Sequence, residues 1–144
     1  DITTLPLDVL TGPATVVALP QADRITASAL EQFGLPREVT RLLVKTSNSH
    51  LSRDTFHEEY VALTLDAAQW IIARGIRLIG VDYASVETYR GDGSIHRALL
   101  GQDIILVENL NLADVPPGDY DLYCLPLKLV GSEGAPARAI LLGQ

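Results

Sequence analysis

Residues 63–81 read Leu63-Thr64-Leu65-Asp66-Ala67-Ala68-Gln69-Trp70-Ile71-Ile72-Ala73-Arg74-Gly75-Ile76-Arg77-Leu78-Ile79-Gly80-Val81. Thr64 stands where a cap would open a helix over Leu65–Arg74. Leu65, Ala68, Ile72 and, near the same face, Trp70 and Ile71 supply its buried stripe. Gly75 closes it where a left-handed residue is wanted, and Ile76–Val81 follows at once as an apolar strand. A helix feeding a strand is half of a strand–helix–strand unit, so the fold turns on what comes before. Arg41–Thr46 reads as a strand, and Thr15–Leu19, nearly all apolar and rich in β-branched residues, reads as another buried on both faces. Between these two, Thr26 caps a short helix over Ala27–Phe33 that Gly34 and Pro36 stop. The recurring order predicts an α/β class, a mixed sheet with flanking helices.

Downstream, Ile95–Leu100 reads as a short helix closed by Gly101, and Ile104–Glu108 as the next strand. Pro116-Pro117-Gly118 makes a turn before a long apolar strand, Tyr120–Leu129, that Pro126 interrupts. Gly131-Ser132-Glu133-Gly134 makes another turn, and Ala137–Leu142 is the last strand. Four strands from Ile76 onward point to antiparallel pairing there, combined with parallel pairing earlier. Ser47–Tyr60 is polar and aperiodic, and a connection of that length marks functional or mobile chain. No repeat, low-complexity tract or linker divides the sequence, so residues 1–144 read as a single domain.

Composition narrows the function classes. A chain of 144 residues with 47% apolar and 20% charged residues builds its own core, which excludes disorder, collagen and coiled coil. Eighteen acidic against eleven basic residues give a net charge of −7, so neither nucleic acid nor an anionic membrane is the expected partner. Cys124 is the only cysteine, which rules out an internal disulfide and a multi-cysteine metal site. With no visible signal peptide and no apolar run near the ~20 residues of a membrane span, the expected setting is cytoplasmic.

The short catalytic signatures fail. Gly91-x-Gly93-x-x-His96 has histidine in place of the third glycine of a dinucleotide loop. His57-Glu58 has Val61 where a zinc-protease helix needs its second histidine, and neither a Walker loop nor a serine elbow is present. His50 and His57 read as solvated surface residues. His96 opens a short helix and Glu108 closes the strand after it, twelve residues on, so the two can converge above the sheet as half of a divalent-cation site. On spacing alone a half-buried histidine and a surface glutamate remain the stronger reading of that pair. Asp82 ends a strand, where crevice residues of open α/β sheets sit, and is expected to accept hydrogen bonds from the turn Tyr83–Ser85. Cys124 and Trp70 read as packing residues.

Five linked blocks add a resemblance. They are Leu63-Thr64-x-x-Ala67-Ala68-x-Trp70 with Gly75–Gly80, Gly80-x-Asp82-x-x-Ser85-Val86, His96-x-x-Leu99-Leu100-Gly101, Ile105-x-Val107-Glu108-Asn109-Leu110, and Leu125-Pro126-Leu127-Lys128 with Gly134-x-Pro136-x-Arg138-Ala139. In this order, over roughly Leu5 to Leu142, the chain resembles the C-terminal part of the cyclase family of metal-dependent hydrolases, which includes bacterial kynurenine formamidase. The resemblance implies the swivelling β/β/α fold and one or two divalent ions, zinc first and manganese as the alternative. It implies that His96 and Glu108 match the family's two C-terminal metal ligands. It also implies a small-molecule amide substrate, N-formylkynurenine of tryptophan catabolism or a related aryl formamide or cyclic amide such as isatin.

The chain departs from the family pattern at one point. The family's first metal segment, His-x-Gly-Thr-His-x-Asp followed by a further histidine, has no match in Asp1–Leu51, and His50 and His57 are seven apart without Gly-Thr between them. The expectation is therefore the C-terminal portion of a hydrolase, inactive by itself. The alternative is a non-catalytic binding or scaffold member of the same fold. A sheet lacking that segment would leave apolar surface open, so a homo-oligomer, a dimer first, is also expected.

Overall fold

The structure, a computed structural model, describes residues 1–143. Six strands, β1 (Thr11–Leu19), β2 (Arg41–Thr46), β3 (Leu78–Val81), β4 (Ile105–Val107), β5 (Gly118–Pro126) and β6 (Ala137–Gly143), form one sheet in the order β4-β3-β2-β1-β5-β6. Strands β1 to β4 are parallel, while β5 runs antiparallel to β1 and β6 antiparallel to β5. The helices are α1 (Leu7–Leu10), α2 (Ala27–Glu31), α3 (Leu65–Ala73) and α4 (Ser94–Leu100). The mixed sheet with flanking helices is thus the architecture that the strand–helix order predicts.

Antiparallel pairing covers less of the second half than expected. β3 and β4 pair in parallel because α4 supplies a crossover that returns the chain in the same direction. β5 starts at Gly118 and ends at Pro126, short of the Leu129 expected, and the chain beyond leaves the ladder until Ala137.

Because successive strand residues face opposite sides, the sheet carries two cores. On one face Val17, Leu42, Val44, Ile79 and Val81 pack under Leu30 of α2, Ala68 and Ile71 of α3, and Leu99 of α4. On the other, Val16, Leu43, Leu78, Leu122 and Cys124 are covered by Val9 and Leu10 of α1 and by Leu110 and Leu112. Gly80 lies where the chain comes closest, since a Cβ there would meet Leu43 Cδ2 at 2.4 Å and Leu110 Cδ1 at 2.7 Å.

Helix α3 differs from its sequence reading in detail. Ala67, Ala68 and Ile71 are buried, whereas Leu65 is exposed. Thr64 occupies the N-cap position, but its hydroxyl donates to the Ile25 carbonyl at 3.1 Å. Trp70 is half-buried against the core and gives its indole N–H to Glu31. Gly75 has φ +73°, the left-handed stop that the sequence implied. Outside the two cores, Tyr123 and Leu125 of β5 and Ile140 and Leu142 of β6 are exposed. Among the described residues no helix is long and apolar enough to cross a membrane.

Candidate metal centre

The parallel strands β2, β3 and β4 end side by side at Thr46, Val81 and Val107, the edge at which open α/β sheets place their functional crevice. Glu108 follows β4 directly. His96 is the third residue of α4, whose N-cap, Gly93, adopts the left-handed conformation at φ +80°. The two side chains converge, with His96 Nε2 3.4 Å from Glu108 Oε1. Each side chain is about one-third exposed, 35% and 32%, so the pair faces solvent rather than lying in the core. Glu108 Oε1 is held on its other side by the Val86 backbone N–H at 2.9 Å. A cleft of about 990 Å³ opens beside the pair, with Ile72, Leu100 and Leu106 among its apolar lining and Arg77 among its polar lining.

Behind His96 stands Glu87, a residue that the sequence reading did not single out. Its side chain is 6% exposed, and its Oε2 lies 2.8 Å from His96 Nδ1. Glu87 also accepts from the Gly93 N–H at 2.7 Å and, more weakly, from the His96 N–H at 3.4 Å. Burial pushes the Glu87 carboxyl up, but the hydrogen bonds from His96 and Gly93 outweigh it and leave the group below its ordinary value. The available signal is its place between Ser85-Val86 and the glycine-rich turn 91–93, one residue past the block Gly80–Val86. Tyr60, also missed, donates its hydroxyl to the Glu87 carbonyl at 2.6 Å, and burial raises its phenol above the usual value.

Asp82 is fully buried, and its partners are not those of its own turn. Its carboxylate accepts from the Thr46 N–H (2.6 Å) and hydroxyl (2.9 Å) and from the Ser49 N–H (3.1 Å) and hydroxyl (2.6 Å). The register that pairs Val44 with Val81 sets the end of β2 beside Asp82, so these distant donors reach it before the turn Tyr83–Ser85 can. Asp82 therefore ties β2 to β3 beneath the site. His50 is exposed as expected. His57 is not a solvated residue: it is half-buried, its Nε2 is enclosed without a hydrogen-bond partner, and its ring lies 6.4 Å from that of Tyr83. Cys124 is buried, and its thiol is pushed up by burial, as an inert core thiol should be.

The donor set suits a borderline divalent ion. One imidazole nitrogen and one carboxylate oxygen stand at the separation of roughly 3–4 Å expected of two ligands that each lie ~2.0–2.2 Å from a shared zinc. Among the described residues no group of three or more His, Cys, Asp or Glu side chains is arranged to hold a metal ion.

An α/β domain with a histidine–carboxylate pair at the carboxyl ends of its parallel strands defines a class, and comparison with known proteins gives the family. The family model described as "Putative cyclase" matches residues 1–88. Cyclase-like protein 2 of Oryza sativa is 42% identical over 148 residues, covering 99% of this chain and 54% of its own length. Kynurenine formamidase of Bacillus cereus is 38% identical over 138 residues, covering 95% and 65%. A solved structure described as a potential metal-dependent hydrolase with cyclase activity superposes with a TM-score of 0.88 at 36% identity, covering 96% of this chain and 68% of that one. The chain belongs to the cyclase family. It spans little more than half the length of the cyclase-like relatives it matches.

Proposed function

We propose that this chain is part of a metal-dependent amide hydrolase and that His96 and Glu108 are two of its metal ligands. The observation that carries the reading is the 3.4 Å approach of His96 Nε2 to Glu108 Oε1 on the lining of a cleft with both apolar and polar walls. A metal-dependent hydrolase among its structural neighbours and a kynurenine formamidase among its relatives support it. The ion is zinc first and manganese as the alternative, both compatible with a nitrogen-plus-carboxylate donor set. When bound, such an ion supplies an acidified water and polarises the amide carbonyl.

The chain's own residues do the rest of what can be assigned. His96 offers a directional nitrogen, Glu108 offers negative charge, and the Val86 N–H keeps Glu108 Oε1 from swinging away. Ile72, Leu100 and Leu106 give the cleft the apolar wall that suits an aryl amide such as N-formylkynurenine or isatin. His96 and Glu108 supply two ligands, and the ion's other positions are left to water and to donors beyond this pair. A cytoplasmic setting and a homodimer complete the reading.

The test uses the full-length protein and N-formylkynurenine. His96→Ala and Glu108→Gln should each lower metal content and lower turnover about 100-fold or more, and the 144-residue chain alone should give no turnover. Unchanged turnover in both variants would end the proposal. One observation favours a second reading, a non-catalytic member with a weak cation site: the absence of a third ligand among the described residues. Metal binding at the pair without turnover of any aryl formamide or cyclic amide by the full-length protein would select it.

A further inference from the structure

We propose that Glu87 is a positioning residue for His96: its carboxylate holds the imidazole in the Nδ1–H tautomer and thereby turns the Nε2 lone pair toward Glu108. The functional consequence rests on the metal-ligand reading above, whereas the tautomer is a property of the chain without metal.

Donor and acceptor capacity places the imidazole proton. An ionised carboxylate only accepts hydrogen bonds, and a neutral imidazole carries one N–H. Glu87 Oε1 is occupied by the Gly93 N–H, and Oε2 lies 2.8 Å from His96 Nδ1. That contact is a hydrogen bond only if the proton sits on Nδ1. Nε2 then keeps its lone pair and faces Glu108 Oε1 at 3.4 Å, acceptor against acceptor, an arrangement that a shared cation satisfies. Histidine ligands of metals generally give the far ring N–H to a carboxylate, a backbone carbonyl or water, and here a carboxylate stands in that place.

Glu87 is seated for this task by its surroundings. A Cβ at Gly91 would fall 2.5 Å from Glu87 Cγ and 2.6 Å from Oε1, so the carboxylate fills the space that this glycine leaves. The Tyr60 hydroxyl pins the Glu87 carbonyl, and the Ser85 hydroxyl accepts from the Glu87 N–H at 3.1 Å. Backbone and side chain are thus both held. A purely structural role would be to stand in for the absent side-chain cap of α4, through Gly93 N–H. A glutamine could fill that role, because its amide oxygen accepts the same bond. It would not preserve the tautomer, because its amide N–H₂ can donate to Nδ1 and send the imidazole proton to Nε2.

Ring-nitrogen NMR of metal-free protein in alkaline buffer, where imidazoles are neutral, reads the tautomer directly. Wild-type His96 should show a protonated Nδ1 and a bare Nε2. Glu87→Gln should move the proton to Nε2 and weaken Zn²⁺ binding, measured calorimetrically, about tenfold or more. Gly91→Ala, which displaces Glu87 without altering it, should shift the tautomer in the same direction. A wild-type imidazole protonated at Nε2, or a Glu87→Gln protein with unchanged tautomer and Zn²⁺ affinity, would overturn the proposal. The wild-type spectrum decides even if neither variant folds. Should His96 prove to be Nδ1–H while Glu108→Gln leaves Zn²⁺ binding untouched, the metal-ligand reading fails and the role of Glu87 stands.

Discussion

Asp82 and Glu87 are buried carboxylates five residues apart in one loop, and each does its work by accepting hydrogen bonds from a different direction. Asp82 gathers four bonds from Thr46 and Ser49, which lie more than thirty residues upstream. Three of the four fall on one oxygen, Oδ2, so an amide at this position must turn its N–H₂ toward at least one donor. Asp82→Asn should therefore cost about 1–3 kcal/mol, because the Thr46 hydroxyl must turn to accept from the amide and its own buried proton loses its acceptor. The urea midpoint measures it, and an unchanged midpoint with unchanged slope would contradict it. The convergence of His96 and Glu108 was legible only as the weaker reading of their spacing, local to one helix and the strand after it, and the family resemblance was what favoured it. Asp82's partners and Glu87's role were not legible. The first contact depends on which strands are neighbours, and the second reaches across a glycine turn whose path no periodicity encodes.

Among the elements, the segment from Thr64 to Val81 announced both its helix and its strand, because a capping position, an apolar stripe and a left-handed glycine agreed there. The stripe itself was drawn slightly wrong. Leu65 is exposed because the first turn of α3 faces α2, where Asp66 takes the Ala27 N–H at 2.9 Å and so caps the neighbouring helix. That bond has a consequence for pH. The Thr64 side chain beside it and the hydrogen bond from the Ala27 N–H hold the Asp66 carboxyl below its usual 3.8. A carboxyl with a lowered folded-state pKa adds stability above the unfolded value and loses it as pH falls through the folded one. Wild type should accordingly be more stable than Asp66→Asn at pH 6, and the difference should close as pH falls below about 4. Thermal unfolding across that range measures it, and a gap that persisted undiminished at low pH would contradict the assignment. The direction of β4 was misjudged at this scale for a related reason. Strand sequences do not state their direction, and only the crossover through α4 makes β4 parallel.

For the whole molecule, the net charge and the two-core sheet account for a folded acidic domain, but β5 and β6 leave Tyr123, Leu125, Ile140 and Leu142 exposed on one surface. β6 is also an edge strand, with backbone groups free to pair. Self-association through this ribbon is the expected outcome, and Ile140→Arg should shift sedimentation equilibrium toward monomer at micromolar concentration. A wild-type chain that is already monomeric there would contradict it. His96 and Glu108 are proposed to hold a divalent ion together. Anomalous diffraction at the zinc edge, from crystals grown with Zn²⁺, tests it most directly. A peak is expected about 2.0–2.2 Å from both His96 Nε2 and a Glu108 oxygen. A peak bound elsewhere, with His96 and Glu108 still facing each other and no metal between them, would contradict it.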